Sequence, residues 1–179
     1  MFRGLCVEGH DYGEIPPYLK AYAEDIVRLR LEANRENYRN KPQKERPGTK
    51  NSLLLGEVSR DYYTDYAGIL GELIVRRYFE VDPRFVYFTA QTMIQTRGSD
   101  GSDIEVRMVD MPEDLKVNVK SGEGTLKANK RAVDIGDCNM YIFIQFLSEN
   151  TFAPYKFSQE DIQRWEVKHA YSAYYNLKV

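Results

Sequence analysis

The sequence predicts an α/β fold: a three-layer sandwich on a central mixed β-sheet, with an extra helix at its N-terminus. Three observations predict it. Two long stretches in the first half carry helical spacing, two short runs between residues 103 and 120 alternate with strand period, and Met140–Leu147 is a nearly continuous apolar run suited to a strand buried on both faces. At 179 residues the chain fits a single domain that buries roughly two-thirds of its unfolded surface. Residues 1–56 would supply the N-terminal helix and a basic loop, and residues 57–179 the core.

Pro16-Pro17 opens the first helix, from about Tyr18 to Asn40, since proline is tolerated in a first turn. Leu19, Tyr22, Ile26, Leu29 and Ala33 recur at spacings of three and four, giving one apolar stripe that packs on its own domain or forms a seam with a second copy. Lys41 to Asn51, with Pro42, Pro47 and Gly48, reads as a loop. A second helix spans roughly Tyr62 to Glu80 and is ended by Asp82-Pro83. Phe85–Thr89 and Thr92–Thr96 are strand-like, and Gly98-Ser99-Asp100-Gly101-Ser102 is rich in turn residues.

Two strands follow, joined through Asp110-Met111-Pro112-Glu113. In the first, Asp103, Glu105 and Arg107 share one face while Ile104, Val106 and Met108 share the other. In the second, Leu115, Val117 and Val119 alternate with Asp114, Lys116, Asn118 and Lys120. A hairpin-length connection would let both polar faces line one pocket. Gly122-Glu123-Gly124 breaks the second strand, and residues 125–134 are helix-compatible. Ser158 caps a last helix with Glu160 and Asp161 in its first turn and Tyr171, Tyr174 and Tyr175 near its end.

Apolar residues make up 42% and charged residues 29% of the chain, the balance of a soluble globular protein. No apolar run approaches a bilayer span, and Met1–Cys6 lacks the apolar core of a secretory signal, which predicts a cytoplasmic protein without a membrane partner. Two cysteines, Cys6 and Cys138, and two histidines, His10 and His169, are too few for soft-metal chemistry, leaving hard cations held by oxygen. A net charge of −2 argues against coating nucleic acid by bulk charge, but not against a nuclease whose carboxylates offset basic residues elsewhere. Basic residues cluster in two places: Arg39, Lys41, Lys44, Arg46 and Lys50, opposed only by Glu45, and Lys116, Lys120, Lys127, Lys130 and Arg131. Lys44, Arg46, Lys50, Lys127, Lys130 and Arg131 are the candidate phosphate contacts.

Gly71-Glu72-Leu73, Gly101-Ser102-Asp103-Ile104 and Asn118-Val119-Lys120-Ser121, taken in this order and strand context, resemble the PD-(D/E)XK nuclease superfamily. That superfamily includes restriction endonucleases, Holliday-junction resolvases and many phage nucleases. The resemblance covers roughly residues 66 to 147 and implies a restriction endonuclease-like core. It implies Glu72 as the acid of the first core helix, Asp103 as the strand acid and Lys120 as the catalytic lysine. It also implies Mg²⁺ or Mn²⁺ at Asp103, Glu72 and Glu105, with DNA as the substrate of an endonuclease or resolvase acting alone or as a homodimer.

Asn118 stands where the family usually has Glu or Asp. An amide oxygen can ligate Mg²⁺ but brings no charge, so Glu105, Glu123 or Asp114 would have to compensate. A shifted frame, Asp114-Leu115-Lys116, restores a literal Asp-X-Lys, but the Val-X-Val-Lys-Ser-Gly context favours Lys120. Each residue also has a plain reading: Glu72 lies four before Arg76 as in a helix-surface pair, and Asp103 ends a turn. The chemistry asks for carboxylates to hold the metal and a lysine to orient water and offset transition-state charge. The alternatives to a nuclease are an inactive nuclease-fold module that binds nucleic acid, and a protein–protein adaptor using the chain's 14 tyrosines.

Overall fold

The computed structural model describes residues 10–37, 48–81, 85–90, 103–108, 113–136, 138–169 and 173–177, together with Cys6 and Glu8. The elements run β1 (Gly13–Glu14), α1 (Pro17–Asn37), β2 (Thr49–Ser52), β3 (Gly56–Ser59), α2 (Arg60–Val81), β4 (Phe85–Ala90), β5 (Ile104–Met108) and β6 (Leu115–Gly122). They continue as β7 (Leu126–Asn129), α3 (Lys130–Ile135), β8 (Met140–Phe146), β9 (Thr151–Phe157), α4 (Gln159–Gln163), β10 (Glu166–His169) and β11 (Ala173–Leu177). The fold is mixed α/β.

Its central sheet has six strands in the order β1-β9-β8-β6-β5-β4. β4, β5 and β6 form an antiparallel meander, with Ile104 opposite Val117 and Val106 opposite Leu115. β8 lies parallel to β6, Val119 beside Ile142 and Lys120 beside Phe143. A parallel pair needs a crossover, and β7 with α3 supply it. β7 also joins β11 and β10 in a separate three-stranded sheet.

Two apolar clusters hold the central sheet from its two faces. Ile104, Val106, Val117, Val119, Ile142, Ile144 and Phe146 meet α2 and, beyond it, α1. Tyr141 and Phe143, on the opposite face of β8, meet Val133, Ile162 and Tyr175. β8 is therefore covered on both sides, as its unbroken apolar run predicts.

Among the described glycines, the closest approach to a neighbouring element is that of α2 to β6. A Cβ built on Gly71 would lie 2.5 Å from Ser121 Cβ, and the Ser121 hydroxyl donates to the Ala67 carbonyl at 2.6 Å. Only glycine allows a helix backbone to approach a strand this closely.

Several expectations need correction. The first helix, Pro17–Asn37, is described only to Asn37, so its predicted end at Asn40 lies outside the described residues; its phase differs from the predicted stripe: Leu19, Ala23, Ile26 and Val27 are buried, whereas Tyr22 and Leu29 are 53% and 42% exposed. The period is right, but α2 takes the face centred on Ala23. Thr49–Asn51, read as loop, pair as a strand with β3. Residues 125–134 divide into β7 and α3 because Leu126 and Ala128 alternate inward against the second cluster. Ser158 caps α4 through a reciprocal capping box with Asp161, but that helix has only five residues. Tyr174 and Tyr175 lie on β11 instead. Thr92–Thr96, Gly98–Ser102, Lys41–Pro47 and Tyr171 lie outside the described residues.

The two glycines of α2 separate packing from propensity. Gly71→Ala is expected to lower stability by about 1–3 kcal/mol through overpacking against Ser121. Gly68→Ala is expected to raise stability by about 0.5–1 kcal/mol through helix propensity, since among the described residues nothing lies within 4 Å of the added carbon. Denaturant titration of both variants checks this, and equal effects at the two positions would contradict the close approach.

Candidate active site

The joint between α2 and β6 also places the candidate site. Glu72 follows Gly71 on α2, and Lys120 precedes Ser121 on β6, so the Gly71–Ser121 contact sets the separation of the elements that carry them. Asp103 stands just ahead of β5. Its backbone N–H donates to the Val117 carbonyl at 2.9 Å, and its Oδ2 accepts from the Val119 N–H at 2.7 Å. This double tie fixes the carboxyl against β6 beside the residue that separates Asn118 from Lys120.

The three side chains act on one another electrostatically. Burial, and then the charge of Asp103, push the Glu72 carboxyl up to about 7, against the opposing influence of Arg30, Lys120 and Arg76. The Asp103 carboxyl is also raised by burial, with Lys120 and the Val119 N–H working the other way. Two half-buried carboxyls are thus set where ionising both is unfavourable. The half-buried Lys120 ammonium, donating to the Val119 carbonyl at 3.3 Å, offsets this only in part. Asn118 is buried at 8% exposure and lies beside Tyr141 in the parallel register, on the face opposite α2.

The residues considered as compensating acids sit in other settings. Glu105 registers with Lys116 across β5 and β6. Asp114 pairs with Arg107 at 2.7 Å. Glu123 takes hydrogen bonds from the Ser52 hydroxyl at 2.7 Å and the Leu54 N–H at 3.3 Å, and pairs with Lys50 at 3.0 Å. Burial pushes the Glu123 carboxyl up, but the bonds from Ser52, Lys50 and Leu54 outweigh it and hold the group below its usual range. The Lys50 ammonium also lies 3.2 Å from the centre of the Tyr63 ring, and the Tyr63 hydroxyl accepts from the Glu123 N–H at 3.0 Å. Lys50 and Glu123 therefore anchor the β2–β3 hairpin to the end of β6.

The remaining basic candidates lie beyond that end. Lys127 sits 5.0 Å from the centre of the Tyr174 ring. Lys130 pairs with Asp134, which also accepts from the Tyr175 hydroxyl at 2.8 Å, and Arg131 is exposed on α3. Lys44 and Arg46 fall outside the described residues. Sequence reasoning missed Arg30 of α1, which pairs with Asp65 of α2 at 3.3 Å and bears on Glu72. Nothing local marks it, because its role depends on how α1 packs along α2.

Among the described residues no three His, Cys, Asp or Glu side chains gather as a metal-binding group, and no helix is long and apolar enough to cross a membrane. The donor set near Lys120 still suits a hard cation. Mg²⁺ is commonly held by one or two carboxylates plus water and substrate phosphate, rather than by a cage of protein ligands. Comparison with known family models, characterised proteins and solved structures finds no match.

The raised Glu72 carboxyl has a consequence for stability. Below its ordinary value of 4.5 the group is protonated folded and unfolded; from there to about 7 the unfolded chain releases the proton while the folded one keeps it. Stability therefore falls as pH rises through that window, by roughly 3 kcal/mol on this group alone. Glu72→Gln is expected to flatten the decline in denaturation midpoints measured across it, and an unchanged slope in the variant would refute the assignment.

Proposed function

We propose that this chain is a metal-dependent nuclease of the PD-(D/E)XK type, hydrolysing phosphodiester bonds in DNA. One observation carries the reading: Glu72, Asp103 and Lys120, far apart in sequence, are half-buried and act on one another electrostatically, and burial makes both carboxyls hold their protons more tightly than usual. Two desolvated carboxyls, one raised further by the charge of the other and only partly offset by nearby cationic groups, suit a divalent cation. Connectivity supports a restriction endonuclease-like core, since α2 leads into the β4–β5–β6 meander and α3 then leads to β8, parallel to β6.

Glu72 and Asp103 would hold Mg²⁺ or Mn²⁺, with Glu105 lying further along the strand face of Asp103, while Asn118, where an acid is usual, lies on the face of β6 opposite α2. When bound, such a metal lowers the pKa of its water and clamps phosphate oxygens. The protein's own residues do the rest. The Val119 N–H keeps the Asp103 carboxylate in one orientation. Lys120 orients the attacking water and offsets negative charge growing on the phosphoryl oxygens, an effect strengthened by partial exclusion of solvent. Lys127 and Arg131, on the segment leaving β6, meet the phosphate backbone, and Tyr174 beside Lys127 offers a ring for an unpaired base.

The test is cleavage of labelled linear, nicked, branched and single-stranded DNAs with Mg²⁺ or Mn²⁺. Asp103→Asn and Lys120→Ala are each expected to reduce cleavage by about 10²- to 10³-fold. DNA binding without cleavage would replace this reading with the inactive nucleic-acid-binding module. Neither binding nor cleavage would overturn both.

A further inference from the structure

Eight large apolar side chains stand exposed among the described residues, and three of them, Tyr18, Tyr22 and Leu29, lie on α1. At about 100° per residue they fall within about 40° of one another around the helix, away from Ala23 and Val27, which α2 covers. A single exposed side chain needs no explanation, but three in line make a ridge. Beside the ridge lies an open cavity of about 400 Å³, lined by Glu24, Asp25, Arg28, Leu31 and Glu32 of α1 and Tyr62 of α2. Leu31 and Tyr62 are half-buried and give the cavity its apolar part. Glu24, Asp25, Arg28 and Glu32 are exposed and give it a charged rim, on which Arg28 reaches Asp25 at 3.3 Å and Glu32 at 4.0 Å.

Ridge and cavity complement each other across a two-fold axis. When helices pack side by side, a side chain of one enters the hole between residues i, i+3, i+4 and i+7 of the other. Asp25, Arg28, Leu29 and Glu32 have that spacing, and three of the four line the cavity. With two copies of α1 antiparallel and the axis between Asp25 and Ile26, Tyr22 of each copy faces Leu29 of the other, in the middle of that hole. The contact is therefore made twice, as an isologous interface requires. Charge agrees with shape. The Tyr22 hydroxyl, a donor, arrives among the carboxylates of Asp25 and Glu32. Arg28 falls about 3 Å along the axis from Asp25 of the second copy, so positive and negative groups alternate around the two-fold axis and the two Asp25 carboxylates are screened from each other.

We infer that the outer face of α1 is a self-association surface, on which a second copy of this chain packs antiparallel with Tyr22 seated in the cavity beside Leu29. One helix pair buries an area at the small end of specific interfaces, so the association is reversible and of micromolar strength. The inference stands apart from the nuclease reading, because neither Tyr22 nor the cavity belongs to the site at Glu72, Asp103 and Lys120.

Sedimentation velocity of the full chain from about 1 to 200 μM tests this, with thermal unfolding to establish that each variant is folded. The wild type is expected to pass from monomer to dimer across the series. Tyr22→Asp, which sets a charge among the rim carboxylates, is expected to raise the dimer dissociation constant about tenfold or more. Leu53→Asp, at a side chain 56% exposed between β2 and β3, is expected to leave it unchanged. Asp25→Arg is expected to weaken the dimer, and Asp25→Arg combined with Arg28→Asp to restore it, because the charges then alternate again across the axis. If Tyr22→Asp fails to fold, the charge swap decides alone. A dimer that Tyr22→Asp does not weaken, or that the charge swap does not restore, would overturn the inference. A wild type that stays monomeric throughout would overturn it too and leave this face to a different macromolecule.

Discussion

The close approach of α2 to β6 at Gly71 and Ser121 is the constraint on which the rest depends. A built Cβ would meet Ser121 at 2.5 Å, and the Ser121 hydroxyl ties back to the Ala67 carbonyl. The helix can neither slide nor rotate without breaking that fit. The neighbours of the two contact residues, Glu72 and Lys120, therefore take fixed places, and Asp103, tied to Val117 and Val119, completes the group from the next strand.

The electrostatics follow from that packing. A carboxyl one turn from solvent would ionise near its ordinary value. Half-buried on α2 and acted on by the charge of Asp103, Glu72 holds its proton to about 7. Such an arrangement costs stability at neutral pH, a sizeable share for a fold of marginal stability. Elsewhere the charges are matched and ordinary: Lys50 with Glu123 secures a hairpin, and Arg107 with Asp114 decorates a strand end. An exposed pair such as Lys20 with Glu149 contributes little.

What could be read from the sequence was whatever local pattern decides. The two-faced burial of β8, the body of α2 and the Ser158–Asp161 cap were legible because period and capping chemistry are local. The phase of α1 was not: Tyr22 and Leu29 fit a stripe as well as Ala23 and Val27 do, and only packing against α2 chooses. β9 was hidden by Pro154, which is tolerated because, among the described residues, β1 pairs only with Thr151 and Phe152 and does not reach the proline. Tyr174 and Tyr175 suit a helix end or a strand equally, and distant pairing with β7 settles it. In the site, the order of Glu72, Asp103 and Lys120 was legible, whereas the engagement of Glu123 with Lys50 and the part played by Arg30 depend on contacts between remote segments.

The most direct measurement is anomalous diffraction from a crystal of the full chain soaked in Mn²⁺. A peak lying between the Glu72 and Asp103 carboxyls, close to Lys120, is the expected result, and it would place the cation where packing has gathered the buried acids. A peak at some other cluster, or none at this one while both carboxyls keep their present positions, would contradict the assignment of this pocket as a metal-dependent site.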